Sequence, residues 1–302
     1  MSAAKAAKVH AKEARGQIRD QGYQPYTGSY TAEGGRWSLI AGRMLKMTAR
    51  QPWVMVMLIL CIFPALVAGV LMYIQSKMYA MGMGPAPNEL VLSLLVGWKV
   101  SLIISFLMAL FAGGGAVADD VRGGAFQFYF ARPVTREQYL IGKLLPPVLL
   151  VFFVTAAPAL LLSILRIALA KDGADALASI FVPLETLAMG VLLALSLGVP
   201  VVALSSLSRG RGYVQGAFAA LFLLPWIIGS LLVDVTQSGW GAVLSLPVHF
   251  MNVGRFLFQL DPEPGARNMP VWASATVLAL LIVGSLALLR KRLAAVEVIG
   301  GS

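Results

Sequence analysis

The sequence predicts an all-α integral membrane protein with six transmembrane helices, on three observations. Of its 302 residues, 58% are hydrophobic and only 13% charged, about half the charged share of a soluble domain, and the mean hydropathy is +0.79. Six apolar runs are long enough for a hydrocarbon core, which takes roughly twenty helical residues. Lys and Arg are spread between those runs with the one-sided bias that sets membrane topology.

Taken in order, residues 1–35 read as a cytoplasmic tail. AAKAAKVHAKEAR is rich in helix formers but has no apolar stripe, and GYQPYTGSYTAEGG is turn-rich. About fifty mostly polar residues precede the first apolar run, so no cleavable signal peptide is expected. Residues 36–51 form an amphipathic helix: Trp37, Ile40, Ala41, Met44 and Leu45 fall on one face, and Arg36, Arg43, Lys46 and Arg50 on the other. Such a helix suits the cytoplasmic interface, with its cations toward anionic head groups. The spans are expected near 52–74, 91–117, 139–165, 179–206, 213–235 and 271–289. Between the last two, the stretch 236–270 is apolar, but Pro247, His249, Asn252 and Arg255 argue against a seventh crossing. It reads as an interfacial or re-entrant segment. Residues 293–302 form a C-terminal tail.

With the N-terminus inside, eighteen Lys and Arg residues lie on the inner side and five on the outer, with Lys99 inside a span. Both termini and the loop between the second and third spans are therefore expected in the cytoplasm. The net charge of +10 follows from that topology; it does not point to nucleic acid, whereas membrane lipids are expected partners.

The loop ADDVRGGAFQFYFARPVTREQYLIGK, residues 118–143, carries two helix starts. Asp119 and Asp120 favour the first turn of a new helix, and Pro133 stops it, which predicts a short helix over 119–131. Thr135 and Gln138 then have the spacing of a capping box, with Val134 and Tyr139 placed as its hydrophobic staple, so the third span is rooted here. Gly113, Gly114 and Gly115, Pro146 and Pro147, and Gly198 with Pro200 mark close helix approaches and kinks within the bundle.

Catalytic constellations are thin. The one cysteine, Cys61, lies in an apolar run, which rules out an intrachain disulfide or a thiolate cluster. His10 and His249 fall on opposite sides and have no nucleophile or carboxylate pattern near them, so neither a catalytic nor a metal site is expected. Gly142–Lys143 lacks the upstream glycine of a P-loop. The chain is expected to be no enzyme. Lys99 and Glu185 stand inside predicted spans, where a charge is costly and raises a functional hypothesis. Each is within about two turns, roughly 10 Å, of the outer end, close enough to snorkel or to pair.

On these residues the chain resembles the permease subunit of an ABC exporter of the ABC-2 (type V exporter-like) class. The loop looks like that family's run of an acidic residue, a basic residue, glycine, an apolar segment and then R-P-x-x-R-x-x-Y-x-x-G-K. It matches at Asp119, Asp120, Arg122, Gly124, Phe126, Phe130, Arg132, Pro133, Arg136, Tyr139, Gly142 and Lys143. Aspartates stand where many relatives carry glutamate, and residues 1–35 fall outside the resemblance. The resemblance implies a cytoplasmic amphipathic helix before six spans, and a coupling helix between spans two and three that docks a separate ABC ATPase subunit. It also implies a second permease subunit, identical or paralogous, and a bacterial cytoplasmic membrane. ATP and Mg would be held by the ATPase, with no cofactor in this chain. Phe126, Phe128, Tyr129 and Phe130 are the kind of large anchors that fill a partner's pocket, flanked by Arg132 and Arg136. Two other readings fit the same composition: an ion-coupled secondary transporter built on Lys99 and Glu185, or a scaffold that transports nothing. No polar constellation selects a substrate.

Overall fold

In hydrocarbon every backbone N–H and C=O must find its partner within the segment, and a helix provides that. The computed structural model describes residues 35–126, 134–236, 239–261 and 269–296, and every regular element among them is helical. Nearly all of the expected tail, the aromatic run Phe128, Tyr129 and Phe130, and Arg132 with Pro133 lie outside the described residues. Six helices are long and apolar enough to cross a membrane: Pro52–Ala80, Lys99–Arg122, Arg136–Ala168, Gly173–Ser205, Arg211–Thr236 and Val271–Ala294. These are spans one to six of a multi-pass membrane protein.

Several boundaries depart from expectation for identifiable reasons. The second span, expected from 91, starts at Lys99. A short helix, Asn88–Leu92, runs into a π turn, Ser93–Gly97, closed by Trp98 N–H on the Ser93 carbonyl at 2.7 Å. Trp98 then takes extended dihedrals (φ −82°, ψ 118°), and the helix restarts. The fourth span, expected as one run from 179, is two pieces, Gly173–Ala178 and Val182–Ser205; Asp172 caps the first by accepting from the Asp175 N–H at 2.8 Å. The last helix runs through Arg290, Lys291 and Arg292 to Val296. These are good helix formers, and cations suit a helix C-terminus.

Spans two, three and four form the core, and the other three bury one side only. Small residues set the crossings: a Cβ on Gly190 would fall 2.6 Å from Ala156 Cβ, and one on Gly198 would fall 2.8 Å from Val148 Cγ2. Span five joins through Phe106, whose ring stacks on Phe218 at 5.2 Å and meets Phe222 at 4.8 Å. Span one leaves Ile59, Phe63, Leu66 and Val70 exposed, a face suited to lipid or to a partner's apolar surface.

The ends of the bundle differ. At one end stand Gln51, Asp119, Arg136, Arg211 and Arg290, tied together in part by Arg211 to Gln51 (2.9 Å) and Arg290 to Glu137 (3.5 Å). At the opposite end, Arg166 at the close of span three is 1% exposed. It meets Asp175 through two parallel bonds (2.6 and 3.1 Å), donates Nε–H to Asn88 Oδ1 (2.8 Å) and lies 5.9 Å from the Tyr79 ring centre. Asp175 also accepts from the Lys171 N–H (3.1 Å). This clamp joins the end of span one, its linker, span three and the start of span four.

The expected interfacial or re-entrant segment is a 3₁₀ turn, Gly239–Leu244, followed by a helix, Leu246–Leu257. The turn doubles back on span five so closely that a Cβ on Gly241 would sit 2.7 Å from the Val233 nitrogen. The helix buries Leu246, His249, Phe250 and Val253 along one stripe. His249 Nε2 lies 2.7 Å from the Val243 carbonyl, which can only accept, so this nitrogen carries the proton; Nδ1 then accepts from Ser274 Oγ at 3.1 Å. Ser274 in turn accepts from Asn252 Nδ2 (2.9 Å). Every member is satisfied with a neutral imidazole, and burial holds the His249 pKa below its ordinary value. The unfolded chain therefore takes up this proton first as pH falls. Stability from the site is whole above about pH 6.5 and is lost as pH falls from there through the folded pKa. The melting temperature should drop below that pH in the wild type and drop less in His249→Gln, measured by thermal unfolding across pH 4.5–7.5.

Candidate functional site

The joint between the second and third spans begins with a helix start capped from a distant part of the chain. The helix Ala118–Arg122 has no side-chain cap of its own. Ser205, fully buried at the end of span four, fills that place: its Oγ accepts from the Val117 N–H (3.0 Å) and the Ala118 N–H (2.9 Å) and donates to the Gly114 carbonyl (3.1 Å). Asp119 and Asp120 follow in the first turn, where negative charge is stabilised by the helix dipole.

That helix is shorter than expected. The single helix predicted over 119–131 stops after Arg122, because Gly124 takes a left-handed φ of +64°. The Ala125 N–H then reaches the Asp120 carbonyl (2.9 Å) and the Gly124 N–H reaches the Val121 carbonyl (3.5 Å). This is the Schellman termination that glycine permits. Phe126 follows as a helical residue, and its ring centre lies 5.5 Å from that of Tyr139. Tyr129, Phe130, Arg132 and Pro133 lie outside the described residues.

At the root of span three, Thr135 Oγ1 accepts from the Gln138 N–H (3.3 Å) while Gln138 Oε1 accepts from the Thr135 N–H (3.2 Å), a reciprocal capping box. One turn on, the fully buried Tyr139 donates its hydroxyl to Asp120 Oδ2 at 2.7 Å, and Lys143 Nζ meets the same oxygen at 2.6 Å. Asp119 pairs with Arg122 at 3.4 Å on the surface. Arg136 is exposed at the first turn of span three. Gly142 serves neither a phosphate cradle nor a turn: a Cβ there would sit 2.8 Å from Ile40 Cβ and 3.1 Å from the Trp37 carbonyl. It is the point where the helix Arg36–Ala49, the leading helix, docks. The apolar stripe of that helix is thus spent largely on span three, while Arg43, Lys46 and Arg50 remain exposed.

Of the residues singled out in the sequence, the structure brings Asp120, Phe126, Tyr139 and Lys143 together. It does not bring Lys99 to Glu185. Lys99 is exposed at the first residue of span two, Glu185 is half-buried near the start of Val182–Ser205, and among the described residues no ion pair joins them. Ser205, Arg166 with Asp175, and Arg211 escaped the sequence reading. Arg166 and Asp175 could have been found as a charge pair nine positions apart bracketing a short loop; Ser205 had no local signal.

The helix Ala118–Arg122 is thus bonded on two sides, through Asp120 to span three and through Ser205 to span four. No protein-family model matches the chain, and no curated protein matches it by sequence.

Proposed function

We propose that the chain is the permease subunit of an ATP-driven exporter of the ABC-2 type, working as a dimer with a separate ATPase in a bacterial cytoplasmic membrane. The joint carries this reading. A short helix at the cation-rich end, tied by Asp120 to span three and by Ser205 to span four and followed by the half-buried Phe126 beside Tyr139, is suited to receive force from outside the chain. Cation bias puts that end in the cytoplasm, where an ATPase operates. The leading helix lies at the interface on this reading, with Arg43, Lys46 and Arg50 toward head groups. Closure of the ATPases on ATP moves the joint, and span three, rooted by its capping box, carries the motion across the membrane. On this reading the side chains of Phe128, Tyr129 and Phe130 are further anchors for the ATPase.

Purification of the tagged chain from native membranes, with mass spectrometry of what accompanies it, is the first test. A stoichiometric partner carrying G-x-x-x-x-G-K-[ST] is expected, and its absence would overturn the reading. Replacing Phe126 and Phe130 by Ala should weaken the partner's binding by about 1 to 4 kcal/mol, the range of aromatic interface anchors. Co-purification unchanged in that double variant counts against the joint as the contact.

A further inference from the structure

At the cation-rich end a cavity of about 510 Å³ opens between the leading helix, Gln51 and the ends of spans two, three and five, with Lys143 in its lining. That is the size of a small-ligand site. One wall is the stripe Leu39, Arg43 and Met47 of the leading helix, with Leu39 and Met47 59% and 62% exposed. Arg211 lines the same cavity. One of its terminal nitrogens donates to Gln51 Oε1 (2.9 Å) and to the Phe111 carbonyl (2.6 Å), which holds the guanidinium in place.

Neither Asp119 nor Asp120, which also line this cavity, forms an ion pair with those two arginines. Asp120 is occupied by Tyr139 and Lys143, and Asp119 pairs with Arg122. Arg43 makes no hydrogen bond or ion pair among the described residues, and Arg211 bonds only neutral acceptors. Depth adds the rest. Gln51 immediately precedes span one, Gly115 lies near the end of span two, and Arg211 opens span five. The cavity therefore stands at the level where hydrocarbon gives way to head groups. Two guanidiniums lacking an anion, beside exposed apolar side chains, call for a ligand with both characters. A guanidinium fork matches phosphate oxygens in particular.

We propose that this cavity binds the phosphate of a membrane phospholipid, with Arg43 and Arg211 on the phosphate and the acyl chains leaving past Leu39 and Met47. The site needs no ATPase, so its test stands apart from the transport reading. The purified full chain in detergent micelles is titrated with dioleoylphosphatidylglycerol and followed by native mass spectrometry. Saturable binding of one lipid per chain is expected. Arg43→Gln should weaken it roughly tenfold, the loss of one charged contact of about 1.4 kcal/mol, and Arg43→Lys should restore part of the loss. Arg209→Gln removes the same charge at the same end of the bundle, from an exposed position outside the cavity, and should leave affinity unchanged. Equal weakening by Arg43→Gln and Arg209→Gln would reduce the effect to general charge attraction and overturn the site. Displacement of the lipid by an equal concentration of inorganic phosphate would assign the cavity to a free anion and overturn the lipid assignment.

Discussion

Arg166→Ala should destabilise the protein by about 3 to 5 kcal/mol, the cost of stranding a buried charge by removing its partner. The side chains of Arg166 and Asp175 are 1% and 4% exposed, and their contact is bidentate. Removing the guanidinium leaves the Asp175 carboxylate with the Lys171 N–H and strips Asn88 of its donor. The damage should spread beyond one loop, because the clamp fastens the linker after span one to the ends of spans three and four. Arg166→Lys should recover only part of the loss, since an ammonium cannot make the parallel pair and reach Asn88 as well. Replacing both partners, Arg166→Met with Asp175→Leu, should return stability to within about 1 to 2 kcal/mol of wild type, because no charge is left buried. Denaturation in mixed micelles, compared across the four proteins, measures all of this. A full loss of stability in the double variant would mean that the pair's geometry, rather than its charge balance, holds the linker.

How much of this was legible in the sequence depends on how local each cause is. The capping box at Thr135 and Gln138 needs only residues three apart, and it was readable. The six spans were readable because hydropathy sums over twenty residues and tolerates errors at the ends. The break at Trp98 was not: a π turn differs from an α turn by one register of hydrogen bonding, and Ser93–Gly97 is as apolar as the helix around it. The stop at Gly124 was present as two adjacent glycines but was outweighed by the more distant Pro133. Gly142 looked like part of a loop motif, although its role is steric and set by Ile40, about a hundred residues earlier. The amphipathic pattern of the leading helix is silent on what the apolar face touches, since a lipid tail and the flank of span three are equally apolar. Ser205 marks the limit: a serine in an apolar run carries no sign that it caps a helix 87 positions earlier.

Asp120→Ala should cost about 3 kcal/mol in stability and more in function. Its Oδ2 takes both the Tyr139 hydroxyl (2.7 Å) and Lys143 Nζ (2.6 Å) in a partly buried setting. Removal withdraws an ionised acceptor from two donors at once, and hydrogen bonds to charged groups each contribute about 1.5 to 3 kcal/mol. Asp120→Asn keeps an acceptor for Tyr139 but loses the charge opposite Lys143, so it should fall between the alanine variant and wild type. Under the proposed function the two measurements separate. The ATPase should still bind, because Phe126 and its neighbours remain, and should still hydrolyse ATP. The push on the helix Ala118–Arg122 would no longer reach span three, so substrate moved per ATP should fall by at least about tenfold, equivalent to roughly 1.4 kcal/mol of lost coupling. Ser205→Ala tests the other arm, since it uncaps the same helix from span four and leaves Asp120 in place. If force passes through Asp120 into span three, the serine variant should lower stability by about 1 kcal/mol and keep most of the coupling. If the two variants lose coupling equally, the joint works as one rigid block gripped from both spans, and the third span has no privileged role as the lever.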